Sequence, residues 1–82
     1  MYLEELRKRS FACPSEWHGV LVDGMRVFVR YRSGRLSMGY GPTVEDAIGN
    51  AYVVWQSKDQ LAGCMHTDSM LKLTGLAFNG HR

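Results

Sequence analysis

Between Met25 and Tyr40 the chain alternates with period two and is broken only by a glycine turn, which leaves few folds open to it. Residues 25–32 put Met25, Val27, Val29 and Tyr31 on one side of an extended strand and Arg26, Phe28, Arg30 and Arg32 on the other. Ser33-Gly34 is a two-residue hairpin signal, and beyond it Leu36, Met38 and Tyr40 alternate with Arg35, Ser37 and Gly39. Asp23-Gly24 is a second such signal, placed after the run WHGVLV. The pattern predicts three antiparallel strands, at about 17–22, 25–32 and 35–40. Their apolar sides share a core, and their arginine sides face solvent together.

That solvent side is unusual in its charge. Arg26, Arg30, Arg32 and Arg35 occupy a window with no acid; the chain carries +2 overall, so removing these four charges leaves −2 for the rest. A solvated strand face ordinarily mixes both signs, because opposite charges across strands stabilise a sheet and like charges do not. The segregation marks Arg26, Phe28, Arg30, Arg32 and Arg35 as a candidate partner-binding face. Arginine suits carboxylates and phosphates, and Phe28 offers a stacking or anchoring surface among the guanidinium groups.

The flanks read as helices. In YLEELRKRS, residues 2–10, Leu3 and Leu6 are one turn apart, with Glu4 and Glu5 early and Arg7, Lys8 and Arg9 late, as the helix dipole favours. Pro14 and Ser15 make residues 11–17 a connector, with Phe11 free to pack. After Gly41-Pro42, Thr43 is a helix cap with Asp46 three residues on. Val44, Ala47, Ile48, Ala51, Val54 and Trp55 then keep helical spacing as far as a stop at Gly63, which predicts one long helix across the core face of the sheet. Gly49 interrupts this helix, as a close approach to the sheet or to a partner would require. Thr67 or Asp68 caps a short helix through Met70, Leu71, Leu73 and Leu76, with a strand over the same run left open. Trp17, Tyr52 and Trp55 read as core or core-edge residues; exposed together they would mark an interface.

The expected architecture is thus a single α+β domain over residues 1–82: a short N-terminal helix, a three-stranded antiparallel meander, a long helix packed on one sheet face and a short C-terminal element. A chain of 82 residues, 45% apolar, suffices for one modest core. It has no run of about eighteen apolar residues that would suit a membrane helix, and its N-terminus does not read as a signal peptide. Two cysteines, Cys13 and Cys64, are too few for a disulfide framework and suit a reducing compartment, though one bridge stays open; a cytoplasmic protein is expected.

Catalytic and metal motifs are weak by spacing. Cys13, His18, Cys64 and His66 have the composition of a zinc site without its C-x2-C or H-x3-H spacing, so no metal or other cofactor is expected. Cys64 and His66 are a sequence neighbourhood and not a dyad, Glu16 and His18 suit a surface ion contact, and Glu45 and Asp46 serve the helix start. Gly39-Tyr40-Gly41-Pro42 lacks the lysine of a phosphate loop. An enzyme is not expected.

The stretch GRLSMGYGPTVEDAIGNA, residues 34–51, resembles the double-stranded-RNA-binding domain, with a strand, a glycine-containing turn, a Ser/Thr cap and an alanine-bearing helix. The likeness spans roughly residues 2–62 and implies helix, meander, helix. Where that family places Lys-Lys-x-Ala-Lys on RNA phosphates, this chain has Val44, Glu45, Asp46, Ala47 and Ile48, and Val22-Asp23-Gly24-Met25 replaces the Gly-Pro-x-His loop. The resemblance therefore implies the fold without its RNA contacts. Size and lack of chemistry also look like the small proteins of phages and mobile elements, anti-CRISPR inhibitors among them. These features together point to a non-enzymatic protein-binding module, an inhibitor docking its arginine face on a larger protein or ribonucleoprotein. The alternative is a nucleic-acid-binding protein using the same face, and the third reading is a small Cys/His enzyme.

Overall fold

The three predicted strands form the centre of a wider sheet. A computed structural model describes residues 2–10 and 13–78 of the chain. The elements run β1 (Tyr2–Ser10), β2 (Ser15–Leu21), β3 (Arg26–Arg32), β4 (Arg35–Gly41), α1 (Val44–Gly49), β5 (Tyr52–Gln56), α2 (Thr67–Thr74) and β6 (Ala77–Phe78). The sheet order is β5-β4-β3-β2-β1-β6, antiparallel throughout except for the short parallel pair β1 and β6. The expected helix–meander–helix domain is not what forms: this is a six-stranded sheet with two short helices.

The meander keeps its predicted parity. Val27 pairs with Tyr40, Val29 with Met38 and Tyr31 with Leu36 on the core side, while Phe28 pairs with Gly39, Arg30 with Ser37 and Arg32 with Arg35 on the other. Ser33 and Gly34 both have positive φ, 53° and 75°, as a tight hairpin turn requires. The Asp23-Gly24 turn is one residue longer than expected. The Leu21 amide donates to the Met25 carbonyl at 2.8 Å, and Gly24, at φ 90°, closes a three-residue loop.

The first correction lies in β1. Leu3 and Leu6 imitate a helical turn, but a register shift between Leu3 and Glu5 inserts one extra residue against β2. This bulge lets two leucines three apart in sequence both face the core, Leu3 opposite Leu21 and Leu6 opposite Gly19. Phe11 lies outside the described residues.

The second correction concerns the long helix. Thr43 caps α1 as predicted, its hydroxyl accepting the Asp46 N–H at 3.1 Å, but the helix stops at Gly49 after six residues. Asn50 ends it, donating its backbone N–H to the Asp46 carbonyl at 2.9 Å and its side-chain amide to the Tyr40 carbonyl at 3.1 Å. Tyr52, Val53, Val54 and Trp55 then behave as the β-branched and aromatic run they are and form β5 on β4.

The helix also lies on the opposite face from the one expected. A Cβ on Gly39 would strike the Ala47 carbonyl and the Ala51 backbone, and one on Gly41 would come 2.7 Å from Asp46 Cβ. Both glycines have the parity of the arginines, so α1 sits over the arginine side of β4. Gly49, whose Cβ would meet open space, is not the close approach; Gly39 and Gly41 are.

The core face is closed by the chain beyond β5. Trp17, Val29, Leu36 and Leu3 are at most 1% exposed, and Met70 and Leu76 from the C-terminal segment join the same cluster, with Ala62, Met65, Leu71 and Leu73 packed around it. This cover is pinned by polar ties: Ser15 N–H to the Gly63 carbonyl at 2.8 Å, Met65 N–H to Ser15 Oγ at 3.0 Å, and Trp17 Nε1–H to Thr67 Oγ1 at 2.9 Å. The predicted short helix at 67 is present, with His66 rather than Thr67 at its cap position. A disulfide between Cys13 and Cys64, Cα atoms 4.9 Å apart, closes a sequence separation of 51 residues. In the chain-entropy description a loop of that length contributes about 4 kcal/mol.

Candidate binding face

The side of the sheet away from the core is laid out in rows across the strands. The first runs Glu5, Val20, Arg26, Gly41; the second Arg7, His18, Phe28, Gly39. The third runs Glu16, Arg30, Ser37, Val53, and the fourth Arg32, Arg35, Gln56. All five residues marked in the sequence share this face, but they are not one cluster. Arg26 and Arg32 are six residues apart on β3, about 20 Å at the usual rise of a strand. Helix α1 covers the end of β4 beside Arg26 and brings Glu45 and Asp46 there, so the acids that start the helix sit over the arginine side.

The middle of the face is a closed cluster. Phe28 is 3% exposed, with the Arg30 guanidinium 5.2 Å from its ring centre and the His18 ring edge-on at 5.2 Å. It supports the face from beneath and presents no ring for stacking. Arg30 Nε donates to Glu16 Oε2 at 3.0 Å, so its charge is matched. Arg9 Nη1 donates to His18 Nδ1 at 3.3 Å, which requires the imidazole to accept at that nitrogen. Burial, reinforced by the Arg9 charge and opposed by Glu16, holds His18 below its ordinary value of 6.5.

At the open end the balance differs. Arg32 and Arg35 are directly opposite one another, both exposed, with uncharged Gln56 next in the row. Among the described residues the one side-chain ion pair is Arg30 with Glu16, so neither Arg32 nor Arg35 has an acidic partner. Like charges directly opposed across a strand pair are destabilising. The corner thus holds two like charges that no acidic side chain among the described residues offsets.

Arg7 and Arg9 also belong to this face, which the helical spacing of residues 2–10 conceals; the register places Arg7 opposite His18, and Arg9 reaches the His18 ring. Lys8, between them, points to the core side, its Nζ donating to the Met65 carbonyl at 3.2 Å and lying 5.4 Å from the centre of the Trp17 ring. Glu16 and His18 share the face as expected, without pairing to each other: each takes an arginine. The four zinc-like residues do not converge. Cys13 and Cys64 are joined, His18 lies on the arginine face, and no group of metal-ligating side chains forms among the described residues. With Cys64 in the bridge, it is not paired as a nucleophile with His66.

A scan against protein-family models, a search of the curated proteins and a search of the solved structures found no match. The helix–meander–helix order on which the RNA-binding resemblance rested is replaced by the six-stranded sheet. No helix among the described residues is long and apolar enough to cross a membrane.

Proposed function

We propose that the chain is a non-enzymatic binding module that docks its arginine corner on an acidic surface of a larger protein or ribonucleoprotein, acting as a small inhibitor by occupying that surface. The observation that carries this reading is the Arg32–Arg35 pair, opposed, exposed and without an acid. Two planar guanidinium groups side by side match carboxylates in fork geometry, and an anion seated between them relieves their mutual repulsion. Burial of Phe28 favours a protein over a nucleic acid, since stacking on an aromatic ring supplies much of single-strand affinity. Glu45 and Asp46 act in the same direction. A phosphate backbone running the length of the face meets them, whereas a compact acidic patch at the Arg32 end does not. The Cys13–Cys64 bridge suits an oxidising compartment, so the cytoplasmic site expected from the cysteine count is not part of the proposal.

Affinity capture from the native host, with mass spectrometry and with or without nuclease, tests the proposal. One protein that survives nuclease and is lost with Arg32→Glu/Arg35→Glu is the expected result. Loss of every partner on nuclease treatment, or submicromolar binding to a duplex of about 16 base pairs near physiological salt, overturns it in favour of nucleic acid.

A further inference from the structure

We infer that β5 is a self-pairing edge, through which two copies of this chain join their sheets antiparallel about a twofold axis at Val53. Strand β5 is hydrogen-bonded to β4 on one side and is the outermost strand on the other. Monomeric proteins guard such an edge with charge, proline, a bulge, a covering segment or extreme shortness. The opposite edge follows that rule, since β6 has two residues. The β5 edge has one of these devices, a bulge at Val54, and neither charge nor proline. Its sequence, Tyr52-Val53-Val54-Trp55-Gln56, contains no charged residue, no proline and no glycine. Tyr52 is 53% exposed, Val53 49% and Trp55 36%, and Ile48, at the end of the helix leading into the strand, is 45% exposed.

A second copy is the occupant that this strand fits. Symmetric pairing sets like residues against like near the axis, which is harmless only where the strand is uncharged. Strand β3, with three arginines, could not do it. Side-chain parity selects the register. Tyr52 and Trp55 lie on the core side, paired with Met38 and Leu36; Val54 packs against the core, and Val53 lies on the arginine side opposite Ser37. The irregularity between Leu36 and Ser37 leaves Val54 and Trp55 together on the core side, so a centre at Val54 would oppose side chains of opposite parity. A centre at Val53 faces Val53 with its own copy and Tyr52 with Val54 of the other, so the opposed pairs from residue 52 to residue 54 share a side.

The size of the contact sets its strength. The exposed parts of Ile48, Tyr52, Val53 and Trp55 amount to roughly 350 Å² of side chain in each copy, about 700 Å² together. That is below the ~1,200 Å² at which stable complexes begin, so the main-chain hydrogen bonds of the added strand are needed and the dimer is a reversible one. The axis is normal to the sheet, so the arginine sides of both copies lie on the same side of a twelve-stranded sheet. The two Arg35 residues are then roughly 20 Å apart by strand spacing and rise, well beyond a screening length of about 8 Å, so the arginine corners do not oppose association.

Sedimentation velocity of the full chain, from about 5 µM to about 500 µM, reads this directly, with a midpoint expected at tens of micromolar, as for small interfaces. Val53→Lys sets two ammonium groups face to face and is expected to weaken association at least tenfold, and Val53→Glu likewise. Val53 is half exposed, so both variants keep the wild-type circular dichroism spectrum and melting temperature. Mixing the two restores a dimer, since one charge then opposes the other. A wild-type chain that stays monomeric over the whole range, a dimer indifferent to Val53→Lys, or a mixture that stays monomeric while both variants are folded overturns the inference.

Discussion

The two faces of this sheet are finished in different ways. The core face is closed by some twenty residues of the same chain, tied down by a disulfide, by the Ser15 and Trp17 hydrogen bonds and by Met70 and Leu76. The arginine face receives one six-residue helix over two glycines and is otherwise left to solvent. Stability is concentrated on the first face and unmatched charge on the second. A chain this small can leave one face open because the other is covered over most of its width, its β5 end staying partly exposed.

The contrast is broken most severely from the core side. Trp17→Ala removes a fully buried indole and the donor to Thr67 Oγ1, and is expected to cost about 4–5 kcal/mol, a large part of the total stability of such a domain. Urea unfolding followed by circular dichroism measures it. A loss under about 1 kcal/mol would mean that the core face is not where the stability lies.

A smaller effect is expected where the helix touches the arginine face. Gly39→Val drives a side chain into the Ala47 carbonyl and the Ala51 backbone, which cannot move without lifting α1. The expected loss is about 2–3 kcal/mol, with increased amide exchange in α1 and little change in α2. Equal exchange in both helices would show that the faces are not separable in this way.

Much of this contrast was legible in the sequence, in the meander above all. Strong strand formers with period two and turn glycines at Gly24 and Gly34 fix which side chains share a face, whatever packs on them. Gly39 and Gly41 also carried a readable signal. Two glycines with the arginine parity indicate that something lies close over that side, and this locates α1 correctly where the apolar spacing of Val44 to Trp55 did not. The Gly49-Asn50 stop followed by a β-branched run was the matching signal for β5. Residues 2–10 were harder. A bulge shifts the period, and Leu3 and Leu6 with a bulge between them are indistinguishable by spacing from one helical turn. The sidedness of Phe28 was readable; its burial was not, since that depends on Arg30 and His18 from two strands.

A pH effect sharpens the comparison from the middle of the arginine face. His18 is held below 6.5 in the folded chain, so between that lowered value and 6.5 the unfolded chain binds more protons. The His18 contribution to stability is therefore present above about pH 6.5 and is lost as pH falls through the folded value. Urea midpoints at about pH 7.5 and pH 5.5 should fall further for wild type than for His18→Gln. Identical falls would mean that the Arg9 and burial effects on His18 do not reach the stability.

The least change in stability and the greatest in binding are expected together at the open corner. The central claim is that Arg32 and Arg35 serve a partner and not the fold, and one pair of measurements on one variant tests it. The captured partner is titrated calorimetrically with wild type and with Arg32→Glu/Arg35→Glu, and both proteins are melted in the same buffer. The account predicts affinity reduced at least tenfold, as when one side of a charge-paired contact is changed, with a melting temperature equal to or slightly above wild type because the opposed charges of the native pair are gone. Unchanged affinity, or a melting temperature that collapses in the variant, would contradict it.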